Sequence, residues 1–131
     1  MTTSAELVTG IDFVPFSTQD LDKAMDFYGT KLGLRRLVHV PERQYAEFET
    51  GNVTLSIVVG EAMGIGHSVN RIATALHVDD VAAARAALEE RGVQFEGETL
   101  DTGVCLMAFF ADPDGNALML HHRYAPRMTE S

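Results

Sequence analysis

The sequence predicts an α+β fold: two tandem βαβββ modules that form a curved mixed sheet with the helices on its outer face. Three features predict this fold. A strand-like segment and an amphipathic helix opened by an aspartate occur twice, with Asp80 lying 60 positions after Asp20. The turn pair Gly51-Asn52 recurs as Gly115-Asn116. Only two copies are present, whereas stacked arrays need about three or more repeats. We therefore expect two halves of one domain.

The first half contains one predicted helix and four predicted strands. The helix begins after Asp20, whose side chain is a typical N-cap, and it ends at Gly33. Strands are expected over residues 11–16, 34–40, 45–50 and 53–59, because apolar and β-branched residues are enriched there. The Gly51-Asn52 pair joins the last two strands.

The second half repeats this order. We expect an Ala-rich helix from Asp80 to Gly92, with strands over residues 72–78, 93–95, 104–110 and 117–122. The segment Asp112–Asn116 is a strong turn signal, in which the side chains of Asp112 and Asp114 are expected to hold the turn by local hydrogen bonds. The chain is thus a single domain over 1–131, with modules at 8–60 and 71–123, a Gly-rich linker at 61–70 and a tail at 124–131.

Composition narrows the possible partners. The net charge of −9 argues against nucleic acid and against anionic membranes, which are bound largely through Lys and Arg, and it favours a cationic ligand. The N-terminus lacks the basic and apolar stretches of a signal peptide, and no apolar run approaches the length of a membrane span. The single Cys105 cannot form an internal disulfide. A cytoplasmic location is the resulting expectation.

Several motifs together resemble the vicinal oxygen chelate superfamily, which includes glyoxalase I, extradiol dioxygenases and bleomycin resistance proteins. The similarity runs from residue 11 to residue 122, and it rests on Asp20-Leu21, Phe27-Tyr28, Leu32-Gly33-Leu34 and Asp112-Pro113-Asp114-Gly115-Asn116. The resemblance implies a homodimer. It also implies a divalent metal held by the first and last strands of each module.

The resemblance assigns the metal-ligand positions to Phe13, Ser56, Ala73 and Met119, with Leu55 as the other choice in place of Ser56. Divalent ions in proteins bind imidazole and carboxylate groups, and none of these side chains supplies one. We therefore predict no bound metal and no cofactor.

Strand alternation predicts which side chains face inward. Residues two apart share a face, so Cys105, Met107 and Phe109 are expected on the same side as Met119 and His121. The predicted ligand-binding set is Phe13, Ser56, Ala73, Cys105, Met107, Phe109, Met119 and His121. An apolar surface with a few polar points is typical of a small-molecule site. The plainer interpretations are a surface role for the histidines and a buried apolar role for Cys105.

Three functions remain open at this point. The first is metal-independent binding, in which the protein sequesters an apolar or aromatic, preferably cationic, molecule, as antibiotic resistance proteins of the bleomycin-binding type do. The second is a divalent-metal-dependent lyase, isomerase or dioxygenase with ligands rearranged onto His77, His121, Glu47 and Cys105. The third is a metal-free enzyme with His77 or His121 as the general base. The candidate catalytic residues are His77, His121 and Glu47.

Overall fold

The computed structural model describes residues 7–126. The first module contains β1 (Phe13–Ser17), α1 (Leu21–Met25) with a π-helical continuation (Asp26–Lys31), β2 (Arg35–Val40), β3 (Tyr45–Glu49) and β4 (Thr54–Val58). The second module contains β5 (Thr74–His77), α2 (Val81–Glu90), β6 (Phe95–Asp101), β7 (Cys105–Ala111) and β8 (Ala117–Arg123). Short 3-10 turns lie at Pro41–Arg43 and Gly60–Met63. The predicted α+β fold with two tandem βαβββ modules is confirmed.

Each module forms its own four-stranded mixed sheet, with strand orders β1-β4-β3-β2 and β5-β8-β7-β6. In both sheets the first strand runs parallel to the last, and the remaining pairs are antiparallel. The register is equivalent in the two modules, since Pro15 pairs with Ser56 and Ala75 pairs with Met119. The mixed sheet expected from the sequence is therefore divided between the modules.

The two helices begin in the same way and end differently. The Asp20 carboxylate accepts a hydrogen bond from the Lys23 amide at 3.1 Å, and Asp80 accepts one from the Ala83 amide at 2.9 Å. Only the first helix passes into a π-helical turn, where the Leu32 amide donates to the Phe27 carbonyl at 2.9 Å. Neither helix within residues 7–126 is long and apolar enough to cross a membrane.

One apolar core spans both modules. The helices cover one face of each sheet, and the predicted helix-facing residues Leu55 and Ile57 of β4 are buried in this core. Phe27 of the first module packs against Phe110 of the second, with ring centroids 6.3 Å apart. The modules therefore pair within the chain through their helix-covered faces, a point that the sequence left open. Within residues 7–126, no helix covers the other face of either sheet.

Strand β6 differs from the sequence-based prediction of a strand at residues 93–95. It runs from Phe95 to Asp101, and Val93 is buried before the strand begins. The strand is polar and exposed, and its pairing with β7 is interrupted between Glu96 and Leu100. Edge strands with charged residues and irregular pairing carry little apolar signal, and this is why the pattern missed it.

Candidate functional site

The open face of the second sheet holds most of the predicted ligand-binding residues. Across β7 and β8, Met107 pairs with His121 and Phe109 pairs with Met119. Cys105, next along the same face, is buried and lies 3.5 Å from a guanidinium nitrogen of Arg123. The expected alternation is therefore observed, and it brings an aromatic ring, two thioethers and an imidazole onto one surface.

The open face of the first sheet carries two more of the predicted residues, Phe13 and Ser56. Ser56 is buried and lies between Pro15 and Glu47, while Phe13 is 51% exposed at the edge of the sheet. Ala73 directly precedes β5 in the second module and is half-buried. The predicted residues thus occupy two separate open faces of the chain, and the site that they were predicted to form together is split between these faces.

Backbone pairing supports the equivalence of the metal-ligand positions. The Thr18 amide donates to the Val58 carbonyl at 2.9 Å, and the Val78 amide donates to the His121 carbonyl at 3.1 Å. This match makes Phe13 the counterpart of Ala73, and Ser56 the counterpart of Met119. The four side chains do not fit a divalent metal, because none offers an imidazole or a carboxylate. Nowhere in residues 7–126 do three or more His, Cys, Asp or Glu side chains gather closely enough to hold an ion.

The candidate catalytic residues lie at exposed or half-buried positions of three strands. His77 is largely exposed, and its Nε2 lies 3.1 Å from Asp79 Oδ1. This position agrees with a surface role for His77. His121 faces the open side, whereas His122 lies in register with Leu106 and faces the opposite side. Glu47 is half-buried in the other sheet. Therefore the three candidates His77, His121 and Glu47 do not form one cluster.

The Asp-Pro-Asp-Gly-Asn turn forms a buried hydrogen-bond network. Asp112 Oδ1 accepts from the Asp114 and Asn116 amides at 3.0 and 2.9 Å. Asp112 Oδ2 accepts from the Tyr28 hydroxyl at 2.6 Å and from Asn116 Nδ2 at 2.8 Å. Burial, reinforced by the Asp112 carboxylate, raises the pKa of Tyr28 far above its ordinary value. The predicted local role of Asp112 is observed, and the long-range bond to Tyr28 adds to it.

Asp114 acts between the modules and not within the turn. Its carboxylate accepts from the Thr18 hydroxyl at 2.6 Å and from the Gln19 amide at 2.9 Å. The Asn116 amide group also donates to the Ser17 carbonyl at 2.9 Å. The turn of the second module is therefore tied to the end of β1, and this corrects the local role expected for Asp114.

A cavity of about 670 Å³ lies between the modules on the helix side of the sheets. It does not coincide with the predicted ligand-binding surface. Its wall comes from β5, one side of α2, the residues that follow the first helix and the β3–β4 turn, with one residue each from β1, β4 and β8. Several aliphatic and small residues line the cavity together with a few polar ones: Leu32, Thr50, Asn52, Leu76, His77, Ala84, Ala87, Leu88 and Arg91.

The cavity occupies the place where the first module has aromatic rings. The Leu34 amide donates to the Tyr28 carbonyl and the Val93 amide donates to the Leu88 carbonyl, both at 3.0 Å, so Leu88 is the counterpart of Tyr28. By the same offset, Ala87 is the counterpart of Phe27. The sequence repeat contained this signal, in that Phe27-Tyr28 aligns with Ala87-Leu88, but sequence reasoning did not use it.

The family follows from a comparison over most of the chain. The family model described as Glyoxalase/Bleomycin resistance protein/Dioxygenase superfamily matches residues 10–120. The chain belongs to this superfamily. The resemblance inferred from the sequence motifs is thereby confirmed.

Solved structures of this glyoxalase and bleomycin resistance superfamily share the fold. TnmS3, an antibiotic binding protein from Streptomyces sp. CB03234, is 27% identical, with a TM-score of 0.76 over 91% of this chain and 99% of its own. A glyoxalase/bleomycin resistance protein from the same strain is also 27% identical, with a TM-score of 0.68 over 86% of this chain and 100% of its own. A lactoylglutathione lyase from Agrobacterium tumefaciens is 21% identical, with a TM-score of 0.73 over 87% of this chain and 93% of its own, which establishes similarity of fold alone.

Proposed function

We propose that this protein is a metal-independent small-molecule-binding protein of the bleomycin resistance type, which sequesters an apolar or aromatic ligand on its open sheet faces. The observation that carries the proposal is the side-chain chemistry at the family's metal positions, where Phe13, Ser56, Ala73 and Met119 stand. Such side chains line pockets and do not ligate hard or borderline ions. The similarity to TnmS3, an antibiotic binding protein, supports the same class of function.

The charge of the open faces favours a cationic aromatic ligand. Glu47 and Glu49 both lie on the open face of the first sheet, and both are half-buried. Phe109 and the two methionines of the second sheet, Met107 and Met119, supply apolar surface for a flat ring. A cation that also stacks on an aromatic ring gains from both features. We therefore propose an aromatic cation, such as an antibiotic with a positive charge, as the ligand.

We also propose that the binding unit is a homodimer. Phe13 is 51% exposed on one open face, so a single chain leaves this predicted contact in solvent. Both open faces carry acidic and basic side chains, because Arg35 lies opposite Glu49 on the first sheet and Glu96 shares the second with Arg123. Two copies related by a two-fold axis would bring the open face of one sheet against that of the other and enclose the ligand between them. A cytoplasmic location accompanies this proposal, since a buried free Cys105 needs no oxidising compartment.

The test combines metal analysis with binding of an aromatic cation. Purified protein is exposed to Fe(II), Mn(II), Ni(II), Co(II) and Zn(II), and the bound metal is counted per chain. We expect none to be retained. Ethidium binding is then measured for the wild type and for Phe109→Ala, with Ile65→Ala as a control that removes an exposed side chain outside the open faces. Loss of one aromatic contact should weaken binding about fivefold.

The alternative enzymes predict other outcomes, one in the metal analysis and one in a separate turnover assay. Stoichiometric metal that is lost in His77→Ala or His121→Ala would establish the metal-dependent alternative and overturn the proposal. Turnover of a substrate that persists after chelation and disappears in His121→Ala would indicate the general-base enzyme. Equal ethidium affinity in Phe109→Ala and wild type would remove Phe109 from the binding surface.

A further inference from the structure

We propose that the cavity between the modules is a second small-molecule site, specific for an apolar molecule that carries one anionic group. Nothing in the proposed function requires this site, because its lining contains none of the residues assigned above to the ligand-binding surface. Its volume of about 670 Å³ lies within the range of about 300 to 1,000 Å³ that is usual for ligand pockets.

The wall of the cavity is apolar because small residues of α2 face large aliphatic residues of both sheets. Ala84 and Ala87 leave space along the helix, and Leu32, Leu76 and Leu120 are among the aliphatic residues around it. When a hydrophobic molecule replaces the water in an apolar cavity of this size, the transfer of its apolar surface out of water is favourable in free energy. The body of the ligand is therefore hydrophobic.

The charge of the lining selects the sign of the ligand. The chain has 19 acidic residues, yet none of the described residues that line the cavity is an Asp or a Glu. Arg91 lies in the lining and is exposed, so its guanidinium borders both the cavity and solvent. The amide of Asn52 also lines the cavity, whereas the Thr50 hydroxyl beside it already donates to the Val53 carbonyl. The guanidinium of Arg91 and the amide of Asn52 fit a carboxylate or sulfonate, and no carboxylate among the described lining residues favours a cation instead.

Arg91 is fixed in this position by the first module. One of its guanidinium nitrogens donates to the Lys31 carbonyl at 2.7 Å, at the end of the first helix. A guanidinium has five N–H donors, and this bond uses one of them. Arg91 is thus held at the junction of the modules with donors left for an anion.

The experiment uses two fluorescent probes that differ in charge. Anilinonaphthalene sulfonate is an aromatic anion, and N-phenylnaphthylamine has the same hydrocarbon body without the sulfonate. Binding of each is measured for the wild type, Ala87→Phe, Arg91→Gln and the control Ile65→Ala. The Ala87→Phe substitution copies the Phe27 ring of the first module into the cavity, and Arg91→Gln removes the charge while keeping an amide donor.

We expect Ala87→Phe to weaken both probes at least tenfold, because the ring occupies their space. Arg91→Gln should weaken the anion about tenfold and the neutral probe less than twofold, as expected for loss of one charge-assisted contact. Ile65→Ala should leave both unchanged, because Ile65 is exposed and lies outside the cavity lining. Equal loss of both probes in Arg91→Gln, or unchanged binding in Ala87→Phe, would overturn the proposal.

The fold of each variant is checked by circular dichroism and denaturant unfolding. If Ala87→Phe does not fold, Ala84→Leu fills the same cavity with a smaller side chain and is used in its place. Arg91 is exposed, so the Arg91→Gln result is independent of core packing. A wild-type protein that binds neither probe also contradicts the proposal.

Discussion

The turns that close the two modules share a backbone design but differ in what lies beneath them. In the second module the Asp112 amide donates to the Asn116 carbonyl, and Asp112 Oδ1 accepts from the Asn116 amide at 2.9 Å. In the first module the Thr50 amide donates to the Val53 carbonyl, and Thr50 Oγ1 accepts from the Val53 amide at 3.1 Å. Each turn is thus held by the side chain of its first residue.

The two turns differ in the helix side chain that packs beneath them, which is Tyr28 in one case and Leu88 in the other. Beneath the second-module turn, the Tyr28 hydroxyl donates to Asp112 and the Tyr28 ring packs with its centroid 6.1 Å from that of Phe16. The space under this turn is therefore filled, and we call it the sealed junction (Tyr28, Asp112, Asn116). Beneath the first-module turn, Leu88 carries no hydroxyl and borders the cavity; we call it the open junction (Leu88, Thr50 and the cavity). The same scaffold therefore gives a structural clamp on one side and a space for ligands on the other.

The largest effect is expected at the acidic residue of the sealed junction. Asp112→Ala removes the acceptor of four hydrogen bonds and leaves buried donors unpaired. Each unpaired buried donor costs about 1–3 kcal/mol, so we expect unfolding free energy to fall by about 4 kcal/mol. Urea unfolding measures it. The matched Thr50→Ala change in the open junction should cost about 1 kcal/mol, and equal losses would contradict the distinction between the junctions.

Exchanging the two helix residues tests whether the space beneath the turns is the cause. Tyr28→Leu should cost about 3 kcal/mol, because it leaves a void beside Phe16 and removes a donor from Asp112. Leu88→Tyr should change stability by less than about 1 kcal/mol, because the added ring enters an existing cavity. Thermal or denaturant unfolding compares the two. A large loss in Leu88→Tyr would mean that the cavity does not match the space of a ring.

Alkaline pH should weaken the sealed junction selectively. In the unfolded chain Tyr28 loses its proton near pH 10, whereas the native fold raises its pKa. Above about pH 10 the unfolded state therefore binds fewer protons than the native state, and the stability conferred by neutral Tyr28 is lost as pH rises toward the native pKa.

The comparison with Tyr28→Phe isolates this effect from other groups that titrate at high pH. The stability difference between the two proteins should shrink by about 1.4 kcal/mol per pH unit above about pH 10 and stay constant below it. Urea unfolding over a pH series gives the slope. A difference that is constant throughout would show that Tyr28 ionises equally in both states.

The smallest difference between the two junctions is expected at their turn glycines. Gly51 and Gly115 have φ of +112° and +97°, and a Cβ added to either meets no atom within 4 Å. Alanine at each position should therefore cost only the backbone strain, about 1–2 kcal/mol. Similar losses in the two variants, measured side by side by denaturant unfolding, would show that the turns share backbone energetics. A much larger loss of stability for Gly115→Ala would show that the sealed junction depends on the backbone conformation of its turn.

Most of the fold was predictable because periodicity and caps are local. Asp20 and Asp80 cap their helices as the pattern indicated, and the alternation in β7 and β8 is the one expected from Met107 and Phe109. The error at β6 arose where an exposed edge strand lacks an apolar pattern. Local signals determine elements well and determine polar edges poorly.

The site was less predictable because it depends on contacts between distant residues. The bond from Tyr28 to Asp112 spans 84 residues, and no spacing rule reveals it. The cavity depends on what Ala87 and Leu88 lack relative to their counterparts, and this becomes evident only when the two modules are compared in space. The ligand-binding role of Phe109 and His121 remains a prediction, since these residues lie on an open sheet face where side chains alone do not reveal a ligand.

The π-helical turn at Asp26–Lys31 accounts for the one-residue difference in length between the helical segments of the two modules. Gly33 follows Asp20 by 13 residues, whereas Gly92 follows Asp80 by 12. If the modules descend from one duplicated ancestor, an added codon inside a helix would ordinarily turn every later residue by about 100°. Here the wider turn absorbs the extra residue, and the following strand keeps its pairing. The two halves have thus been free to diverge in length without losing their shared framework.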